Sequence, residues 1–216
     1  MKIFRNIELL DGQYGCNVYL IDGEVLIDTG TGLNFVDMKK QIEQVCDIRH
    51  LKTIVNTHSH FDHTGGDKKT RDWLKAKIAI HEKDVDDLHS ANVLAEKFGT
   101  TARIITADEA LNFGDFIRTT NFNFEVIHTP GHTPGSICLY EKDKKILISG
   151  DTLFADSVGR TDLPKGNQKA LTDSLKIILD LNTEYLFPGH GPMKYGGISF
   201  VVKRMLNHLV EHDKFL

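Results

Sequence analysis

Short runs in which apolar and polar residues alternate open the chain. Lys2 to Glu8, Asn17 to Ile21 and Glu24 to Asp28 read as three strands of a meander, with Asp22-Gly23 as the hairpin turn between the second and third. The period then changes: from Leu33 to Cys46, Phe35, Val36, Met38, Ile42 and Val45 recur at helical spacing, and Thr53 to Asn56 follows as a short apolar strand. The polar stretch Thr57 to Gly66 reads as a loop at that strand's end. Downstream the alternation predicts a helix near Lys68 to Leu74, a strand Lys77 to Ile80, helices through Glu82 to Phe98, and strands Asn123 to His128, Ile137 to Tyr140 and Lys145 to Ser149. Leu171, Leu175, Ile178 and Leu179 mark a further helix, Tyr185 to Phe187 a last strand, and Val202, Met205, Leu206 and Leu209 a final helix. No linker or low-complexity segment interrupts the pattern, so one domain over residues 1–216 is expected. The halves echo each other as strands then helix, an α/β arrangement compatible with a four-layer αββα sandwich.

Composition narrows the class without naming a function. A 40% hydrophobic and 26% charged chain is ordinary for a globular enzyme-sized domain and gives no support to disorder. With 26 Lys+Arg against 30 Asp+Glu the net charge is −4 and the basic residues are scattered, so no nucleic-acid footprint is expected. No run approaches the ~18 to 20 apolar residues of a membrane span, and charges interrupt the amino-terminal stretch where a secretory signal would be continuous. Cys16, Cys46 and Cys138 are odd in number and far apart, which argues against a disulfide framework or thiolate zinc site and for a reducing, cytoplasmic setting.

The chemistry concentrates where strands end. His58-Ser59-His60-Phe61-Asp62-His63 packs three imidazoles and a carboxylate into six residues, the ligand types preferred by zinc, iron and manganese. Three other strand ends supply more: Thr129-Pro130-Gly131-His132-Thr133-Pro134-Gly135, Ser149-Gly150-Asp151-Thr152 and Phe187-Pro188-Gly189-His190-Gly191-Pro192. Each is a glycine-bearing turn that aims one ligand-type side chain. His50, His89, His208 and His212 read as surface residues, and His81 and His128, which end apolar strands, either as supports behind the ligands or as buried, hydrogen-bonded residues.

Taken in order, HxHxDH, PGHTPG, SGD and PGHG resemble the metallo-β-lactamase superfamily, and within it the glyoxalase II-like branch. With Ile27-Asp28-Thr29-Gly30 the resemblance runs from residue 28 to residue 190. It implies two divalent ions, zinc first with iron or manganese as alternatives: His58, His60 and His132 would hold one, Asp62, His63 and His190 the other, and Asp151 would bridge. Asp28 would be a supporting hydrogen-bonding residue. The common zinc β-lactamases carry Cys where Asp151 stands, so antibiotic hydrolysis is disfavoured.

Two such ions lower the pKa of a shared water and polarise a carbonyl, which makes hydroxide the expected nucleophile and Asp62 the residue that orients it. A thiolate, with a free-thiol pKa near ~8.5, leaves with little protonation, so a small-molecule thioester is the expected substrate, as the resemblance also implies. Only 26 residues follow His190, too few for the helical glutathione-binding region of full-length glyoxalase II. In the segment Gly159-Arg160-Thr161-Asp162-Leu163-Pro164, Arg160 is either a substrate-carboxylate ligand or a structural partner of Asp162. The alternative activity within the same resemblance is a persulfide dioxygenase using a single iron on His58, His132 and Asp151. The oligomeric state is not encoded in any of these patterns.

Overall fold

The computed structural model describes residues 1–10, 15–89, 95–100 and 105–212. Two β-sheets with helices make up the fold, and the chain divides into two compact units: residues 1–111 with 118–123, and residues 112–117 with 124–216.

The first unit begins with β1 (Lys2–Phe4) and β2 (Ile7–Leu10), where a single strand over Lys2 to Glu8 was expected. The exposed pair Arg5-Asn6 turns the chain, so that Lys2 pairs with Glu8 and Phe4 with Ile7. β3 (Val18–Ile21) and β4 (Val25–Ile27) are joined through Asp22 and Gly23 at φ 53° and 68°, the left-handed pair that a tight hairpin with right-handed twist requires. Then come α1 (Phe35–Val45), β5 (Thr53–Val55), α2 (Phe61–Thr64), α3 (Asp67–Leu74) and β6 (Lys77–His81). A 3₁₀ turn (Glu82–Asp84), α4 (Val85–His89), a second 3₁₀ turn (Ala95–Phe98) and β7 (Glu109–Leu111) complete it. α2 lies inside the stretch expected to be loop. Its single turn is too short for periodicity to reveal, and it bends Phe61 and His63 into the interior.

The seven strands form one sheet in sequence order, antiparallel to β4 and parallel from β4 to β7. Leu20, Leu26, Ile54 and Ile78 make a row across four strands in register, and Met38 and Ile42 of α1 and Leu74 of α3 pack on it. Each such buried side chain stabilises the fold by about 1.5–3 kcal/mol. Segment 118–123 joins this unit through the hairpin: Thr119 Oγ1 donates to Asp22 Oδ2 at 2.6 Å and Asn121 Nδ2 to Asp22 Oδ1 at 2.8 Å.

The second unit holds β8 (Phe116–Arg118), β9 (Asn123–His128), β10 (Ile137–Glu141), β11 (Ile146–Gly150), α5 (Gln168–Asp180), β12 (Tyr185–Pro188), β13 (Lys194–Tyr195) and α6 (Ile198–His212). Its sheet runs β13-β12-β11-β10-β9-β8. Ile127, Cys138, Tyr140, Leu147 and Leu186 face Leu175 and Ile178 of α5 and Val201, Val202 and Met205 of α6. Asn167 caps α5, its side chain accepting from Ala170 N at 2.9 Å. The strands β7, β8 and β13, three residues or fewer, escaped the sequence pattern because no alternation develops over so short a run. Among the described residues no helix is long and apolar enough to cross a membrane.

Topology dictates where the ligand-type residues emerge. β4, β5 and β6 are parallel, so the turns carrying Asp28, His58 and Asp84 leave the same end of the first sheet. In the second, β10 is antiparallel to both β9 and β11, and β11 is parallel to β12, so His132, Asp151 and His190 also leave one common end. Carboxyl ends of parallel strands are the usual place for a binding site in such sheets.

Candidate metal centre

In the first unit the hub is Asp28. It stands at φ 59°, a left-handed conformation uncommon for a residue with a side chain, and is 1% exposed. Its Oδ1 accepts from Thr57 N at 2.8 Å; its Oδ2 accepts from Thr57 Oγ1 and lies 2.8 Å from His63 Nδ1. A carboxylate facing Nδ1 fixes the proton there and leaves the lone pair of His63 on Nε2. Thr57 Oγ1, having given its proton to Asp28, sits 3.2 Å from His58 Nδ1, and that geometry likewise puts the His58 proton on Nδ1 and its lone pair on Nε2. One carboxylate therefore sets the tautomers of two imidazoles. The rings of His58 and His63 are 4.1 Å apart and those of His58 and His60 are 4.8 Å apart, so three imidazoles gather on one short stretch.

The backbone that carries them is held from three sides. Thr29 N donates to His63 O at 2.8 Å, Thr64 Oγ1 donates to His60 O at 3.1 Å, and Ser59 N donates to the buried carboxylate of Asp84 at 2.9 Å. Gly15, at φ 106°, passes so near Asp62 that a β-carbon there would lie 2.8 Å from Asp62 Cβ. Cys16, Asp28 and His63 bring ligand-type atoms within 4.8 Å of one another, all three buried. Burial pushes the Cys16 thiol up to about 11 despite the opposing pull of His63.

In the second unit Asp151 Oδ2 lies 3.4 Å from His132 Nε2 and 3.2 Å from His190 Nε2. His132 Nδ1 donates to the Arg160 carbonyl at 2.7 Å, which again leaves the lone pair on Nε2, the atom turned toward Asp151. The three turns are tied together: Gly189 N donates to Gly150 O at 2.8 Å, Thr129 Oγ1 and Thr152 Oγ1 are 2.8 Å apart, and Ser174 Oγ of α5 donates to Pro130 O at 2.7 Å. Gly159 runs against Asp151, where a β-carbon would overlap the Asp151 carbonyl and lie 3.2 Å from His132 Cβ. The edge of Phe154 meets the His190 ring at 5.9 Å. Two imidazoles converging on one carboxylate oxygen, His132 with its Nε2 lone pair free for a ligand, make a donor set that suits a divalent cation.

The Arg160 guanidinium makes a bidentate pair with Asp162, at 2.6 Å for both bonds and exposed on the surface. Of the remaining histidines, His128 Nε2 contacts Pro134 O at 2.9 Å, His81 accepts from Lys83 N at 3.3 Å, and His50 is exposed. The side chains of His89 and His212 lie outside those described. Asp67, Asp84, Thr57 and Cys16 carry the site's support and were not singled out from the sequence. Thr57 and Asp67 flank the HxHxDHxGG run directly, and that adjacency is the one sequence signal that could have pointed to them.

The chain belongs to the metallo-β-lactamase superfamily, whose family model matches residues 11–190. It is therefore a metallo-hydrolase by family. A relative named probable metallo-hydrolase MJ0888, from Methanocaldococcus jannaschii, is 34% identical over 185 residues, 82% of this chain and 88% of its own. The hydroxyacylglutathione hydrolase GloC of Haemophilus influenzae is 35% identical over 147 residues, 66% of this chain and 69% of its own. Among solved structures, that of TTHA1623 in a di-iron-bound form is 32% identical, covers 92% of this chain and 97% of that one, and superposes with a TM-score of 0.75.

Beneath the first-unit turns lies one buried acid with a pH signature. Asp67 Oδ1 is 2.7 Å from Thr29 Oγ1 and its Oδ2 2.6 Å from Asn56 Nδ2. Burial pushes its carboxyl up to about 7, opposed by those two hydrogen bonds and reinforced by nearby Asp28. Between the ordinary carboxyl value of ~4 and about 7 the native protein keeps a proton that the unfolded chain has released, so stability falls as pH rises through that window. Asp67→Asn cannot titrate. In denaturant unfolding, the stability of the wild type relative to Asp67→Asn should decline from about pH 4 to about pH 7 and level off beyond; a difference independent of pH would show that Asp67 titrates in the native protein as it does in the unfolded chain.

Proposed function

We propose that this protein hydrolyses acyl thioesters of small thiols at a pair of divalent ions. In this reading His58, His60 and His132 hold one ion, Asp62, His63 and His190 the other, and Asp151 is shared. The observation that carries it is Asp151 Oδ2 standing 3.4 Å and 3.2 Å from the Nε2 atoms of His132 and His190, the position a shared carboxylate needs. The tautomers support it as well, since His58, His63 and His132 all have Nδ1 engaged and Nε2 turned to its ligand form. Zinc fits the nitrogen-rich donor set, and the di-iron form of TTHA1623 makes iron the alternative.

When bound, such ions supply Lewis-acid polarisation of the substrate carbonyl and activation of water at neutral pH. The chain's own residues do the rest. Asp62 accepts a hydrogen bond from the attacking water and orients it, Asp28 keeps His63 from turning, and the Arg160 carbonyl keeps His132 from turning. The thioester class is supported by the hydroxyacylglutathione hydrolase GloC among the relatives and by the ease with which a thiolate departs without an added acid. A substrate carboxylate reaching Arg160 would displace Asp162 from its guanidinium. The cysteine pattern is the ground for a cytoplasmic setting.

Thiol release from lactoylglutathione by the zinc-loaded protein should proceed at the same rate with and without dioxygen. Oxygen consumption on a persulfide with no thioester turnover would replace hydrolysis by the dioxygenase reading. Asp62→Ala should lower kcat by on the order of 10² to 10⁴ with a much smaller change in KM, because the residue orients water and leaves the bulk of the substrate untouched. An unchanged kcat at full metal loading would remove Asp62 from the mechanism. Asp28→Asn offers an amide N–H to His63 Nδ1 and drives the proton onto Nε2, so metal affinity measured by competition with a chelating dye should fall about 10- to 100-fold; wild-type affinity would show that His63 needs no such partner.

A further inference from the structure

On the second unit, a cavity of about 510 Å³ opens between the 156–161 loop, the start of α5 and the outer part of α6. Its size is that of a small-molecule site, and its walls are of two kinds. Val158, Leu171, Met205 and Leu209 supply apolar surface, while Arg204 and His208, one helical turn apart on α6, stand on the polar side with Asp156, Ser157 and Thr161 of the loop. Arg204 Nη2 donates to the Asp156 carbonyl at 2.8 Å, a bond to a neutral acceptor that orients the guanidinium without cancelling its charge. Arg160 lines the same cavity but is committed to Asp162. An apolar floor beneath an oriented cation is complementary to a molecule with an apolar chain and an anionic head.

We propose that this cavity binds a small amphipathic carboxylate, its chain against Met205, Leu209, Leu171 and Val158 and its head on Arg204 with His208. The loop it would lean on is the one whose other side supports the metal centre: Gly159 runs against Asp151, and the carbonyl of Arg160 holds His132 Nδ1. Occupancy of the cavity thus acts on the segment that orients two of the ligand-type side chains. Such a carboxylate is also the acid that hydrolysis of an acyl thioester releases, which would make the cavity a place where product is sensed. The binding itself stands without the thioester reading, because its test measures no turnover.

The test is isothermal titration of octanoate into the full-length, metal-loaded protein, with 1-octanol and acetate as comparison ligands. Octanoate should bind one site, 1-octanol more weakly for want of the charge, and saturating acetate should leave octanoate binding unchanged. Arg204→Glu, on the exposed side of α6, should weaken octanoate by about tenfold or more. Met205→Trp fills the cavity and should abolish binding in a protein whose circular dichroism is unaltered; should that substitution disturb the helix packing, Arg204→Glu alone decides. Octanoate that acetate displaces, or that Arg204→Glu binds as tightly as the wild type, would place the carboxylate on the metals and overturn the proposal. Equal affinity for 1-octanol, or no octanoate binding into the millimolar range, would overturn it as well.

Discussion

The carboxylate of Asp28 is the constraint on which the first unit's site depends. A residue with a side chain takes up the left-handed conformation at some cost, and here three hydrogen bonds of its carboxylate offset that cost. Those bonds join the end of β4 to the turn after β5 and to α2 through polar contacts that are almost fully buried. Burying polar groups costs less where they partner one another, as Asp28, Thr57, Thr29 and Asp67 do here.

The second unit reaches a similar end by different means. Here the carboxylate of Asp151 faces Nε2 of two imidazoles, and a backbone carbonyl, Arg160 O, takes the Nδ1 proton of His132, while Gly150 O receives Gly189 N. The parallel pairing of β11 with β12 brings the Asp151 and His190 turns side by side, and the register shift between Ile148 and Gly150 lets the chain turn where Asp151 must point inward. Glycine at 159 is then a steric necessity, because the loop returning past Asp151 leaves no room for a side chain. At His58, His63 and His132 the imidazole tautomer is set by what faces Nδ1, which leaves Nε2 in its ligand form.

What could be read from the sequence was whatever periodicity or motif spacing encodes. The rows Leu20, Leu26, Ile54 and Ile78, and Leu175 with Ile178, follow from alternation and helical spacing, and the ligand-type residues from glycine-bearing turns at strand ends. Lost were elements too short to show a period, namely α2, β7, β8 and β13, and the break at Arg5-Asn6, where two polar residues sit within an otherwise strand-like run. The support of the site was lost for another reason. Asp84 and Cys16 reach it through tertiary contacts, and nothing in their immediate neighbours distinguishes them from the other aspartates and cysteines of the chain, while Asp67 has only its place after the motif to mark it. Arg160 is the mixed case: the sequence offered two roles, and the structure shows the guanidinium with Asp162 while the carbonyl, which no side-chain argument considers, holds His132.

The cysteines bear on which nucleophile this scaffold can use. Cys138 is buried and pushed up to about 11 by loss of solvent, against the opposing hydrogen bonds of Thr129 and Thr152, and Cys46 is raised as well. The thiolate is the reactive form, and at neutral pH a group titrating near 11 supplies almost none of it. Cys138 sits on β10 among the residues that face α5 and α6, so it behaves as a small apolar side chain. Covalent catalysis through sulfur would need a thiol that is exposed and electropositively placed, and neither of these is both. The carboxylates and imidazoles gathered at the strand ends are the groups with chemistry to offer, and theirs is a donor set that suits a divalent cation.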